Sequence, residues 1–90
     1  MWKIKNLSND TVKIAASKSN TVTIGLILKP GEFCICEPRM TTSIDAQERR
    51  KLISIDKSYD NTLKLTLCEC YNESVLAKAK KEADDYSKSS

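Results

Sequence analysis

A chain of 90 residues with 40% hydrophobic and 30% charged side chains suits one folded domain and does not have the composition of a wholly disordered protein. Its formal net charge is +3, and its aromatic residues are one Trp, three Tyr and one Phe, so it lacks the dense basic and aromatic pattern of a dedicated nucleic-acid-binding domain. The longest apolar run, residues 24–28, is too short for a membrane helix, and we expect no membrane span.

Alternation of apolar and polar residues predicts four β-strands in the first half of the chain. The predicted strands are Trp2–Lys5, Val12–Ile14, Thr21–Leu28 and Phe33–Glu37. The turn-forming residues Ser8-Asn9-Asp10 predict that the first two strands form a hairpin, and Pro30-Gly31 predicts a tight turn after the third.

A short helix is predicted next, from about Ser43 to Arg50. Thr41, Thr42 and Ser43 offer N-cap hydroxyls, and Thr42 with Asp45 approximates a capping box.

The rest of the chain predicts two more strands and a second helix. Residues 53–55 and 63–67 alternate Ile or Leu with polar residues, as strands do. From Asn72, a possible N-cap, apolar residues recur at spacings of three and four, which is typical of a helix. Its apolar stripe is thin and half alanine, so we expect this helix to reach across to a neighbouring subunit.

Together these patterns predict a mainly β protein, a small antiparallel β-sandwich or barrel of about six strands with one short helix and a C-terminal helix. Residues 1–71 are expected to form the β-domain, and residues 72–90 the C-terminal helix and a frayed tail. Fifteen large apolar side chains are predicted to face one core: Trp2, Ile4, Val12, Ile14, Val22, Ile24, Leu26, Leu28, Phe33, Ile35, Ile53, Ile55, Leu63, Leu65 and Leu67.

The sequence offers no recognisable catalytic machinery. It contains no histidine, which removes the commonest general base, the Ser-His-Asp and Cys-His arrangements and most catalytic zinc sites. Its twelve acidic residues include no pair that stands out as a catalytic couple. We therefore predict that the chain is not an enzyme, with no catalytic residues, no cofactor and no metal ligands.

Two C-x-C pairs, Cys34 with Cys36 and Cys68 with Cys70, are the main alternative to that interpretation. On neighbouring strands four thiolates could converge on zinc, but thiols at i and i+2 of a strand lie almost 7 Å apart, whereas zinc knuckles use C-x₂-C in turns. Disulfides are also possible, although the charged N-terminus lacks the apolar run of a signal peptide and indicates a reducing cytosol. The default interpretation is that the cysteines serve as small buried apolar residues.

Two surface features could bind a partner. Lys3, Lys5 and Lys13 are predicted to share one outer sheet face, with Lys18 in the adjoining loop, either as a weak phosphate-binding surface or as an ordinary solvated face. Ile27 lies on the polar face of the third strand, and exposed apolar residues in or beside connections could join it in a subunit interface: Leu7, Met40 and Leu52.

Four features follow one another over residues 2–56: an opening Ile-Lys-Asn-Leu strand, the turn Leu28–Glu32, the segment Ser43–Leu52 and the short strand Ile53–Ile55. In this order they resemble small virion-structure proteins of tailed bacteriophages. In such proteins a strand, an L-x-P-G-E turn and an S-x-x-x-(Q/E)-(R/K) helix precede a last strand. The resemblance implies a multivalent structural role without a cofactor and supplies no binding residues.

The resulting expectation is a virion structural protein, made in the host cytoplasm, that is capsid-associated as an auxiliary or decoration protein or belongs to the neck or tail. Its expected partners are other virion proteins such as capsid or neck proteins, in a homo- or hetero-oligomer. A generic protein-interaction module and a weak nucleic-acid-binding β-domain are the alternatives.

Overall fold

The computed structural model describes residues 1–19, 21–61, 64–75, 77 and 78. Its elements are β1 Trp2–Asn6, β2 Val12–Ser17, β3 Thr23–Leu28, β4 Glu32–Cys36, α1 Thr42–Arg49, β5 Ile53–Asp56 and β6 Tyr71–Asn72. Residues 73–75, 77 and 78 are also helical. The predicted mainly β fold is confirmed, with a four-stranded and a two-stranded antiparallel sheet that do not close into a barrel.

The pairing of the strands differs from the predicted order. The four-stranded sheet has the order β5-β1-β4-β6, and β2 pairs only with β3 in a hairpin. The predicted hairpin of the first two strands is therefore wrong. The Asn6 side chain donates hydrogen bonds to the carbonyls of Asp10 and Leu28, at 2.8 and 2.9 Å, and so directs the connection after β1 toward the second sheet.

Both faces of β4 are buried, so the apolar residues form two clusters rather than one core. The main core lies between the two sheets and contains the β4 residues Cys34 and Cys36. Phe33 and Ile35 point to the opposite face of the sheet, where a second cluster covers them with Tyr59, Leu65, Leu67 and Tyr71. The single predicted core is wrong because the chain after β5 returns over the outer face of the sheet.

One member of the predicted core is exposed instead, and the placement of another stays a prediction. Val22, at the tip of the hairpin, is 45% exposed. Leu63 lies outside the described residues.

Helix α1 begins one residue earlier than predicted, at Thr42. Thr41 is the N-cap, and its side-chain oxygen accepts a hydrogen bond from the Ile44 amide at 3.3 Å. The predicted capping box of Thr42 and Asp45 is therefore not formed, although Asp45 pairs with Arg49 at 3.1 Å.

The predicted strand at residues 63–67 is absent from its described part, residues 64–67. Asn61 instead binds the backbone of Leu65 on both sides, since its Oδ1 accepts from the Leu65 amide and its Nδ2 donates to the Leu65 carbonyl, each at 2.9 Å. Lys64 between them takes a left-handed conformation with φ 54°. The sixth strand is instead the short β6, whose residue Tyr71 pairs with Phe33.

The second helical segment begins on the protein's own sheet. The Asn72 Oδ1 accepts a hydrogen bond from the Val75 amide at 3.1 Å, as predicted for an N-cap. Glu73 forms ion pairs with Lys3 and Lys5 of β1, at 3.7 and 3.1 Å. Most of the predicted helix lies outside the described residues, so its reach toward a neighbour and the division at residues 71 and 72 stay predictions.

Candidate protein-interaction surface

The outer face of the β2–β3 hairpin carries a shallow, mainly apolar groove of about 380 Å³. Strand residues from both arms of the hairpin form its floor, and α1 contributes one wall. The lining residues are Lys13, Ile14, Ala15, Gly25, Leu26, Ile27 and Ser43.

Two hydroxyl side chains at the start of α1 position the helix beside this hairpin. The Ser43 Oγ accepts a hydrogen bond from the Ala15 amide at 2.7 Å, and the Thr41 Oγ1 donates one to the Ala15 carbonyl at 2.8 Å. The outward amide and carbonyl of Ala15 are thereby satisfied by the helix start rather than by another strand. The same Thr41 hydroxyl caps the helix, so one residue fixes both the start of α1 and a wall of the groove.

The groove is open because two of its floor residues leave it unfilled. Ile27 is 56% exposed, as its position on the polar face of the predicted strand indicated. A Cβ added at Gly25 would have no heavy atom within 4 Å. The groove is thus an accessible apolar recess beside one cation, Lys13, a combination that suits contact with a protein surface.

Other apolar residues singled out in the sequence do not line this groove. Leu7 and Met40 are exposed, at 56% and 41%, while Leu52 packs against the main core. Ile27 is therefore the one of these four residues that the structure places in the recess.

The predicted face of Lys3, Lys5 and Lys13 is wrong, because the three lysines lie in two different sheets. Lys3 and Lys5 face the second cluster and pair with Glu73. The Lys3 Nζ also lies 4.6 Å from the centre of the Phe33 ring, at cation–π distance. These two lysines hold the protein's own C-terminal segment.

The two C-x-C pairs do become neighbours. β6 continues the chain beside β4, and the Cys68 amide donates to the Ile35 carbonyl at 2.7 Å. Cys34, Cys36 and Cys68 are buried and Cys70 is exposed, and all four are free thiols. The interpretation as small apolar residues is confirmed for the three buried ones.

The electrostatic environment keeps these sulfurs protonated at neutral pH. Burial, then the neighbouring thiols Cys36, Cys70 and Cys68, raises the pKa of Cys34 far above its usual range. Burial and the nearby Cys68 raise the pKa of Cys36 to about 11. Burial also raises the pKa of Cys68 and of Cys70. Thiols in this state are poor nucleophiles.

Cys68 and Cys70 also donate hydrogen bonds to the hairpin. The Cys70 thiol donates to the Ile27 carbonyl at 3.2 Å, and the Cys68 thiol donates to the Ala16 carbonyl at 3.5 Å. Both contacts attach the segment before β6 to the two strands that carry the groove.

Within the described ranges, no cluster of three or more His, Cys, Asp or Glu side chains has a geometry that could hold a metal ion. No helix in the same ranges is long and apolar enough to cross a membrane. The absence of enzymatic activity stays a prediction.

No family model matches the chain, and neither the curated proteins nor the solved structures compared with it include a match.

Proposed function

We propose that this chain is a protein-binding domain that uses the groove on the outer face of the β2–β3 hairpin, and that it serves as a structural component of a virion. The observation that carries the binding role is the accessible apolar recess around Ile27 of β3. The other strand of this hairpin, β2, is held in place by α1. The virion role is supported by the resemblance of residues 2–56 to small virion-structure proteins of tailed bacteriophages.

The partner surface that fits this recess is apolar with an acidic group at its rim. Ile27 and the open space above Gly25 accept an apolar side chain of the partner. Lys13 at the margin favours a carboxylate there and gives orientation and an on-rate advantage more than affinity. Capsid or neck proteins are the partners that the resemblance suggests.

A pair of substitutions tests the binding role. Ile27→Lys places a charge in the groove, while Leu7→Lys changes a residue of equal exposure, 56%, that does not line it. Because both side chains are mainly in solvent, we expect both variants to fold. Tagged wild-type and variant chains are produced in cells during particle assembly, and particles are purified by density gradient.

We expect the wild-type chain and Leu7→Lys to sediment with the particles. The amount of Ile27→Lys bound to particles should fall about tenfold or more, because burying a charge at an apolar contact costs more than about 1.4 kcal/mol. Equal retention of both variants would exclude the groove as the binding surface. A chain that is absent from particles but binds another protein through Ile27 would exclude only the virion role.

A further inference from the structure

The outward direction of backbone groups on the hairpin can be assigned from its hydrogen bonds. In an antiparallel pair, opposed residues alternate between those that exchange both backbone hydrogen bonds and those that exchange none. Ala15 opposes Gly25, and both the amide and the carbonyl of Ala15 bind hydroxyls of α1, on the outer side of β2. The pair Ala15–Gly25 is therefore of the second kind, and the amide and carbonyl of Gly25 point to the outer edge of β3.

The next pair on either side agrees with this assignment. Ser17 opposes Thr23, and the Ser17 carbonyl accepts a hydrogen bond from the Glu37 amide at 2.8 Å, again outside the hairpin. Ile27 accepts the Cys70 thiol at the outer edge of β3. The N–H and C=O groups of Thr23 therefore also point outward.

The edges of β2 and β3 differ in how they are covered. Along β2, the Ala15 amide and carbonyl bind Ser43 and Thr41, and the Ser17 carbonyl binds the Glu37 amide. Along β3, the part of the chain that the structure describes supplies one partner, the Cys70 thiol at the Ile27 carbonyl. The amides and carbonyls of Thr23 and Gly25 have no partner among the described residues.

Natural edge strands usually carry a charge, a proline or a bulge that prevents pairing with another chain. Residues 21–28 carry no charged side chain and no proline. Thr23, Gly25 and Ile27 are exposed on this strand, and Val22 before it is 45% exposed. As far as the described residues show, the β3 edge at Thr23 and Gly25 is thus open to a further strand and carries no charge or proline that would block one.

We propose that the edge of β3 pairs antiparallel with the β3 edge of a second copy of this chain, about a twofold axis through Ile24, so that two hairpins form one four-stranded sheet. Thr23 of each copy then lies opposite Gly25 of the other. The four outward groups of one copy meet the four of the other in four hydrogen bonds. This deepens the proposed function, on which it rests, by naming a second copy as the first partner.

This register creates no charge repulsion and brings apolar side chains together. No charged residue opposes another between residues 21 and 27 of the two strands. Val22 of each copy lies opposite Leu26 of the other, which covers two partly exposed apolar side chains. A twofold axis makes the contact isologous, so it closes at a dimer.

Two substitutions at Gly25 distinguish the effect of losing a backbone hydrogen bond from the effect of adding a side chain. Gly25→Pro removes the outward N–H, which takes no part in the bonds between β2 and β3, and proline is tolerated on an edge strand whose N–H faces outward. Gly25→Ala keeps that N–H and adds a methyl group with no heavy atom within 4 Å. The measurement is sedimentation equilibrium of the full chain from roughly 1 µM to 1 mM, where small interfaces dissociate.

We expect the wild-type chain and Gly25→Ala to form dimers as concentration rises and Gly25→Pro to dimerise about 10- to 100-fold more weakly, because each dimer loses two hydrogen bonds. An isotope-filtered NOE between the α protons of Ile24 in a mixed labelled and unlabelled wild-type sample tests the same register without any substitution. A wild-type monomer over the whole range, or a dimer without this NOE, overturns the proposal.

The two proposals fail separately. A wild-type chain that stays monomeric while its particle retention depends on Ile27 overturns the dimer alone. A wild-type dimer that shows the expected NOE, together with equal particle retention of Ile27→Lys and Leu7→Lys, excludes the groove alone.

Discussion

Asn6 is a buried polar residue whose side chain holds three parts of the chain together. Its Nδ2 donates to the carbonyls of Asp10 and Leu28, and its Oδ1 accepts from the Ser8 amide at 2.8 Å and from the Ser8 hydroxyl. With Trp2 and Ile4 it lies on the inward face of β1, so strand alternation places it inside. This role has no local sequence signal, because one of its partners, the Leu28 carbonyl, lies 22 residues away in the chain.

Replacement of Asn6 by Ala should lower the free energy of unfolding by about 2–3 kcal/mol, because buried donors and acceptors lose their partners. Urea unfolding at an unchanged m-value measures this. Asn9→Ala is the control, since Asn9 is exposed in the same turn and should change stability by no more than about 0.5 kcal/mol. Equal effects of the two substitutions would contradict the role assigned to Asn6.

At the scale of elements, the local sequence pattern predicts those strands and helices that depend on neighbouring residues alone. The first four strands, the helix and β5 follow from alternation and capping residues. The Pro30-Gly31 turn follows from φ preferences, because Gly31 has φ 83° and the Glu32 amide binds the Lys29 carbonyl at 2.9 Å. Residues 64–67 differ: Leu65 and Leu67 alternate with polar residues as in a strand, but they pack on a sheet face as part of a loop.

The start of α1 gives a test at this scale. Thr41→Ala removes both the helix cap and the hydrogen bond to the Ala15 carbonyl, and we expect a loss of about 1–2 kcal/mol in unfolding free energy. Thr42→Ala changes an exposed neighbour and should have little effect. Chemical denaturation of both variants decides the question: a larger loss for Thr42→Ala would restore the capping box that the sequence predicts.

At the scale of the whole molecule, the fold depends on contacts between residues that are distant in sequence. Ile27 was recognisable as an exposed apolar residue, but the groove also needs Ser43 beside Ala15, 28 residues apart in sequence. The second cluster likewise needs Tyr59, Leu65, Leu67 and Tyr71 to pack on Phe33 and Ile35 of β4. Neither placement has a local sequence signal, because each is decided by which sheet face remains uncovered.

Glu73 links the segment after β6 to β1 through its ion pairs with Lys3 and Lys5. The strength of this contact should depend on pH. Partial burial alone would raise the pKa of Glu73, but the hydrogen bond and charge of Lys5 and the charge of Lys3 outweigh it and hold that pKa below its usual range. A carboxyl whose pKa is lower in the folded state stabilises the fold above its unfolded pKa of about 4.3. That contribution is lost as pH falls through the folded pKa.

Glu73→Gln removes this carboxylate, and we expect the variant to be less stable than wild type at pH 7 by about 1 kcal/mol or less, since the pair is partly exposed. The difference should shrink as the pH falls below the usual carboxyl pKa of about 4.3, because a growing fraction of the wild-type carboxyl is then protonated, and it should also shrink in about 1 M salt. Urea unfolding from pH 7 to pH 3 measures it. Glu48→Gln, at a residue with no ion pair to the described residues, is the control and should change stability at pH 7 by no more than about 0.5 kcal/mol. A Glu73→Gln difference of the same size at pH 7 and pH 3 would mean that it does not come from the carboxylate charge, and no difference at pH 7 would mean that the packing of Tyr71 on Phe33 holds the segment.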